Sequence, residues 1–521
     1  MNSYYDGQIA FALISALILA SLAGLIIAHR YNKKILSFMQ LGESPKDDAE
    51  QVSLDPEQQH SFSNPIPFSL CKQNKKAIWR YRAVIILIGL ILSFFIALFN
   101  LESATPDESL TLRKTSQLLL AYAWPIIPSI GLLERWSSLK IIVLSLAYTM
   151  FVVILIVLLN LGQAITLIGI MTWLFGEQIP LLAFIMILTS SKLRTHGPYL
   201  FIIFFLLVSA SLLSYQVLDK SLAGNNINSW IVSLSELTNA YVVFILFGIV
   251  PWLIAFFPLR NFARKVAKLY DDKLFSEYLY LLIGIWIFVL SLQSLILSHG
   301  LGTIAYTLLI SILIIPLIFF ILRPFLKPKH QPPTLLLLRV FREDDGIKTL
   351  FDNVLERWRY TGNTVMIGSK DLALRTLEPD ELFDFLNGKL QGRFISDRSH
   401  LQQETAQLDF NFDPDGRYRV NEFFCFDTTW KMALDALISK TNLVLMDLRD
   451  YHAGRKGCSY ELDILAHSPH LQKLIMLTNA KTDTETAKRL LANKANETIW
   501  VEDNQAKDKN LEKSILTALL K

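Results

Sequence analysis

The chain has 521 residues, is 52% hydrophobic and carries a formal net charge of +4. That length allows more than one domain, and so mild a charge argues against a nucleic-acid partner. The three cysteines, Cys71, Cys425 and Cys458, lack metal-ligand spacing and form no disulfide framework, which fits a reducing compartment.

Apolar residues crowd into the first 322 positions. A helix needs roughly 20 of them to cross a hydrocarbon core, and nine stretches qualify: 9–28, 83–100, 118–133, 141–159, 164–189, 199–217, 239–257, 279–297 and 303–322. The first has no basic residues before it and no small-residue cleavage site, so it reads as a retained anchor rather than a secretory signal. Lys and Arg gather on the cytoplasmic side of membranes. With the N-terminus outside, the loops 29–82, 134–140, 192–194, 260–273 and 323–329 are cytoplasmic, and each holds at least two basic residues. The alternation places the C-terminal part in the cytoplasm.

Within this half, 41–73 is rich in Asp, Glu, Gln, Ser and Pro and reads as part of a flexible cytoplasmic loop spanning about 35–75. The stretch 164–189 is interrupted by Gly176-Glu177-Gln178-Ile179-Pro180. One kinked span keeps Lys192 and Arg194 inside, whereas a re-entrant pair does not. Glu177 is either an intramembrane functional charge or a residue at a water-exposed break. Most spans hold little besides Leu, Ile, Val and Phe, which favours anchoring, assembly or sensing over transport.

Residues 323–333, RPFLKPKHQPP, form a Pro- and Lys-rich linker, and 334–521 then read as a soluble domain. The run 334–341 is too short to span and reads as a buried parallel strand. A helical pattern over 347–360 and a strand at 364–367 follow, then a helix at 378–386 with Pro379 at its start. Residues 391–427 are the least regular, with a turn at Asp413-Pro414-Asp415-Gly416 and a strand within 418–426. Beyond lie helix 428–438, strand 442–446, helix 458–467, strand 474–477, helix 484–492, strand 498–501 and helix 507–520. Strands alternating with helices predict βαβ units, a parallel sheet and a flavodoxin-like three-layer sandwich.

The chemistry concentrates in 441–464. The apolar run 443–446 stops at Asp447-Leu448-Arg449, and after a polar loop Cys458-Ser459-Tyr460-Glu461-Leu462 opens a helix. Open α/β sheets bind ligands at the carboxyl ends of their strands. A carboxylate at Glu461 can accept two ribose hydroxyls or offset an oxocarbenium-like charge. It can equally satisfy the first turn of its own helix. The chain has no Gly-x-x-x-x-Gly-Lys-Ser/Thr loop, Gly-x-Gly-x-x-Gly turn or His-Glu-x-x-His helix. His467 and His470 have no third metal ligand nearby.

Two motifs resemble TIR domains: Leu-Leu-Leu-Arg-Val-Phe-Arg-Glu-Asp-Asp at 336–345, a first strand running into an acidic loop, and Cys-Ser-Tyr-Glu-Leu at 458–462. The resemblance implies that Glu461 is the catalytic residue for cleaving the nicotinamide–ribose bond of NAD, with Phe341, Arg342 and Asp345 near the nucleotide. On this reading Arg449, beside Asp447, pairs with phosphate or orients Glu461, and Phe341 or Tyr451 stacks on a base. NAD is then a substrate and no cofactor is expected. The resemblance also implies a bacterial inner-membrane effector of signalling or defence, active as a homo-oligomer. Gly457 stands where the family often has Trp, and 391–427 is an insertion. Asp447-Leu448-Arg449 also resembles nucleoside deoxyribosyltransferase-like folds. Two other functions fit: a non-enzymatic assembly or nucleotide-sensing module, and a transporter with a regulatory domain.

Overall fold

Leu, Ile, Val and Phe in unbroken runs form helices, because a bilayer leaves backbone polar groups no partner but their own chain. The computed structural model describes residues 2–40, 70–104, 112–161, 167–188, 197–223, 229–274, 276–328, 331–339, 345–368, 385, 388, 390–426, 428–503 and 509–521. Eleven α-helices come first: α1 (Asn2–Gln40), α2 (Leu70–Ala104), α3 (Leu112–Tyr122), α4 (Ile126–Leu133), α5 (Ser138–Leu159), α6 (Leu167–Leu188), α7 (Gly197–Ala223), α8 (Ser229–Leu237), α9 (Ala240–Asp271), α10 (Glu277–Leu301) and α11 (Ile314–Leu326), the last preceded by a 3-10 stretch, Gly302–Leu313.

Among the described residues, six helical segments are long and apolar enough to cross a membrane: Phe11–Phe38, Leu70–Ser103, Leu112–Leu133, Ser138–Leu159, Tyr278–Ser298 and Gly302–Leu326. Two bent pairs raise the number to eight. The expected nine includes 199–217, whose apolar helix is shorter, Ile203–Tyr215. The interrupted stretch is a helix bent by 42° between Gly176 and Gln178. Pro180 lies inside that helix, where its missing N–H leaves the Gly176 carbonyl without its i+4 donor. The side chain of Glu177 lies outside the described residues. Its neighbour Gln178 is buried, and its Nε2 donates to Thr149 Oγ1 on α5 at 2.6 Å. Ser211 Oγ of α7 likewise donates to the Gly248 carbonyl of α9 at 2.6 Å. Such bonds hold helices together where the surroundings are as apolar as the side chains.

The second unit is an α/β sandwich. Its elements are β1 (Thr334–Arg339), α12 (Asp345–Trp358), β2 (Asn363–Gly368), β3 (Phe394–Ile395), α13 (Arg398–Ala406), β4 (Val420–Cys425), α14 (Trp430–Ile438), β5 (Leu443–Asp447), α15 (Lys456–His467), β6 (Lys473–Asn479), α16 (Thr484–Leu490), β7 (Thr498–Asp503) and α17 (Lys509–Leu520). Among the described residues the seven strands are all parallel, in the order β3-β4-β2-β1-β5-β6-β7. Side chains alternate across the pleat. Leu336, Leu338, Val444 and Met446 face a core with α14 and α15, while Leu335, Leu337, Leu443 and Leu445 face another with α12 and α17. The predicted helix 378–386 falls almost wholly outside the described residues.

The order reverses between β1 and β5. Counting β4 and β3 as strands appended beyond β2 leaves β2-β1-β5-β6-β7; counting β4 as a core strand moves the reversal nowhere. In either case the ligand end of a doubly wound sheet lies where β1 and β5 deliver their C-termini.

The division of the chain differs from the expected cut near 322. One compact unit takes residues 1–30 and 83–321, with 378–383; the other takes 31–82, 322–377 and 384–521. The end of α1 and the start of α2 thus belong with the α/β elements. Residues 35–40 and 70–75, expected in a flexible loop, are helical, and 41–69 lie outside the described residues. The reason is packing: Leu70 enters the core beside α12, Phe38 meets the Phe394 ring at 5.6 Å, and Asn74 Nδ2 donates to the Arg357 carbonyl at 2.6 Å. The linker also shortens, because α11 carries Pro324 inside it and runs on to Leu326.

The Asp413–Gly416 turn closes with a Gly416 N–H to Asp413 carbonyl bond of 2.8 Å. Gly416 has φ +82°, and a Cβ there would sit 2.9 Å from the Leu326 carbonyl oxygen. Gly416→Ala should therefore cost about 1–2 kcal/mol for the left-handed backbone alone, read as a fall in the full-length protein's thermal midpoint.

Candidate functional site

Five segments build the site: the ends of β5, β6 and β7, the loop 448–455 and the first turns of α15. The loop is pinned on both sides. The Leu448 N–H donates to the Leu477 carbonyl at 2.7 Å, and Thr482 Oγ1 donates to the Leu448 carbonyl at 3.0 Å. Asp450 takes φ +57°, a region Asp tolerates better than most residues. Asn479 holds it there: the Asp450 N–H donates to Asn479 Oδ1 at 3.1 Å, and Asn479 Nδ2 donates back to Asp450 Oδ1 at 3.0 Å.

Asp447 and Arg449 are brought together. Arg449 is 5% exposed, and its Nε and Nη2 donate to the two Asp447 carboxylate oxygens at 2.9 and 2.8 Å. Its Nη1 donates to Asp503 Oδ2, at the end of β7, at 2.7 Å. Burial acts to lower the Arg449 pKa, but the hydrogen bonds and charges of Asp447 and Asp503 outweigh it and raise it above the ordinary value. The guanidinium is thus a clamp from β5 across β6 to β7, committed to carboxylates rather than open to a phosphate. Asp503→Asn keeps an acceptor and removes the charge. It should cost about 1 kcal/mol, seen as a lower thermal midpoint.

Tyr451 is fully buried, in one core with Leu448, Cys458 and Leu462. Its hydroxyl lies 3.0 Å from Ser459 Oγ, and its carbonyl accepts the Asp483 N–H at 2.9 Å. So enclosed a ring has no face for a base and instead locks the loop to α15. Phe341 and Arg342 lie outside the described residues, as does the side chain of Asp345, which opens α12.

Glu461 is separate from the clamp; among the described residues no hydrogen bond joins it to Asp447, Arg449 or Tyr451. It is the sixth residue of α15 (counting from Lys456), past the turn whose amides need capping. Its side chain is half-buried as a whole, yet Oε2 is sealed from solvent without a hydrogen-bond partner. The carboxyl therefore does not serve the first turn. Burial pushes its pKa up to about 8. Burial, and then the Glu461 charge, push the neighbouring Cys458 thiol up to about 12, which makes it a core side chain rather than a nucleophile. Arg455 is half-exposed and Lys456 exposed at the mouth of the same helix, and no side chain caps that helix N-terminus.

Asp503, Asn479 and Thr482 completed the site without being singled out in the sequence. All three stand at or just past the C-terminal end of an apolar strand run, the position from which Asp447 could be picked out.

Neither a protein-family model, nor a curated protein, nor a solved structure matches this chain.

Proposed function

We propose that this chain is a membrane-anchored, TIR-like protein whose α/β unit cleaves the N-glycosidic bond of NAD or a related nucleotide, as an effector of signalling or defence. The observation that carries the reading is Glu461 Oε2, a buried carboxylate oxygen with no partner. It sits on the helix that follows β5, beside the reversal of strand order. A buried polar atom left unpaired costs free energy, so such a group points to a function met when a ligand arrives. The strands β2-β1-β5-β6-β7, taken without the two appended ones, have the 2-1-3-4-5 order of flavodoxin-like sheets, which supports the family reading.

In the reaction the bond between the ribose anomeric carbon and the nicotinamide nitrogen breaks, and its electron pair leaves with the nicotinamide. The Glu461 carboxylate faces the ribosyl cation and steadies it until water adds, releasing one proton. Arg455 and Lys456 take the phosphate role at the mouth of the site, since Arg449 is held by two carboxylates. The α/β unit lies on the cytoplasmic side of a bacterial inner membrane, with the N-terminus outside, and the chain acts as a homo-oligomer.

The test is incubation of the purified full-length protein with NAD, free and clustered on a surface, followed by nicotinamide release. Release by the wild type and none by Glu461→Ala is expected. No release under either condition overturns the enzyme, and equal release by the variant overturns the site.

A further inference from the structure

The helix ends that belong to the α/β unit have two unlike faces. At the start of α2, Leu70, Asn74 and Tyr81 are buried: Leu70 in the core, Asn74 against Arg357 and Thr361, and Tyr81 at 5.6 Å from the Tyr360 ring. On the opposite side Lys72, Lys75, Lys76 and Trp79 are exposed. Their spacing of three and four residues makes them one stripe. Trp79 is 65% exposed, and all three lysines stand open to solvent. The same helix continues directly into apolar sequence, within a segment, Leu70–Ser103, long and apolar enough to cross a membrane.

The end of α1 repeats the arrangement. Tyr31, Ile35 and Phe38 are buried, with Tyr31 at 5.4 Å from the Phe385 ring, while Lys33 and Lys34 are exposed. The end of α11 repeats it again, with Leu326 buried and Lys327 exposed. Three separate stretches of chain thus turn an uncharged face inward and a basic face outward at the point where each adjoins an apolar helix.

We infer that these basic faces, the α2 stripe foremost, are a binding surface for the anionic headgroups of phospholipids. Lysines beside a membrane-crossing helix are drawn to acidic lipid. A tryptophan at the same level matches the headgroup boundary, where its apolar body and polar N–H are both accommodated. Long lysine stems extend along apolar surface while the ammonium reaches the phosphate layer. The surface holds the α2 stripe against the bilayer while Leu70, Asn74 and Tyr81 hold the α/β elements. This assignment concerns lipid and does not depend on any reaction at Glu461.

The test uses the full-length protein, freed of loosely held lipid in detergent and offered equal amounts of phosphatidylglycerol and phosphatidylcholine. Native mass spectrometry reads the ratio retained. The wild type should favour phosphatidylglycerol, and K72Q/K75Q/K76Q should reduce that preference by about tenfold or more, given the strength of single lysine–headgroup attractions. The variant's melting temperature should be unchanged, because all three side chains are exposed. The control K481Q/K513Q/K521Q removes the same charge from exposed positions elsewhere on the α/β unit and should leave the preference intact. A triple variant that keeps the preference overturns the proposal, as does a control that loses it equally. A wild type with no preference also overturns it.

Discussion

NAD cleavage by the wild-type protein should climb with pH and level off above about 8, and Glu461→Gln should be roughly 10²–10³-fold slower at the plateau. Stabilising a ribosyl cation needs the charged carboxylate, and burial raises the Glu461 pKa from the ordinary 4.5 to about 8. Below that value most free protein holds a neutral carboxyl, so kcat/KM should fall about tenfold per pH unit on the acid side, as expected of one essential base in the free enzyme. The nicotinamide ring of NAD is cationic, and its arrival favours the ionised form. The midpoint of the kcat profile should therefore lie lower than that of kcat/KM.

Stability should move the other way. The folded protein keeps a proton on Glu461 that the unfolded chain releases near pH 4.5, so its contribution is fully present below that pH and is lost as pH rises through about 8. Glu461→Gln should flatten this slope. An activity rising through pH 8 together with falling thermal stability, both absent from the glutamine variant, identifies a single group behind both. Activity that stays level from pH 6 to 9 excludes an unpartnered Glu461 as the essential carboxylate.

Arg417→Ala should destabilise the α/β unit by about 3–5 kcal/mol, the usual cost of stranding a buried charge. Arg417 is 1% exposed. Its Nη2 donates to Asp415 Oδ2 at 3.0 Å and its Nη1 to Glu356 Oε2 at 3.1 Å. Arg359 continues the network: it lies 3.4 Å from Glu356, and its Nε donates to the Tyr418 carbonyl at 2.7 Å. Arg419 bonds Asp413 at 2.8 Å. Removing the Arg417 guanidinium takes from Asp415 and Glu356 the cation they share, although Arg359 stays beside Glu356. The double variant Arg417→Met, Asp415→Asn should recover part of the loss, because it removes a buried charge of each sign. Denaturant titration of the full-length protein measures both, and a loss below about 1 kcal/mol for Arg417→Ala would show that water reaches these carboxylates.

How much of this was legible in the sequence depends on the range of the interaction. The helices of the first half and the strand–loop–helix around Glu461 are written in local runs of apolar residues; β5 and α15 agree with their expected bounds to within two residues, whereas α1, α2 and α9 run up to fourteen residues beyond the apolar stretches, into polar sequence that hydropathy does not mark as helical. Local runs say nothing of which strand lies beside which. The placement of β4 beyond β2, and of β3 beyond β4, rests on pairings such as Phe394 with Phe424, residues that look like scattered aromatics in an irregular segment. Asp447 and Arg449 stood out because they end a buried run. That Arg449 reaches Asp503, 54 positions away, could not be seen, so its charge looked available to a ligand. Tyr451 is a similar case: in a polar loop an aromatic ring reads as a contact surface until its burial is known. Glu461 was readable as a residue type in a motif, but its missing partner is a property of the packed molecule alone.

The discontinuity of the α/β unit constrains how the protein is made and how it can be taken apart. The bond from Asn74 to Arg357 joins residues 283 positions apart, so the start of α2 leaves the ribosome long before the strands it packs on exist. At ~5–20 residues per second, Leu70, Asn74 and Tyr81 wait through the synthesis and insertion of every later apolar helix before they are covered. During that interval chaperones or the bilayer surface must shield them. The same geometry warns against shortening the protein to its last 190 or so residues. A fragment beginning at β1 would lack Leu70 from its core and Tyr81 from beside Arg417, and it should express as a sticky, easily proteolysed species even though its seven strands are intact.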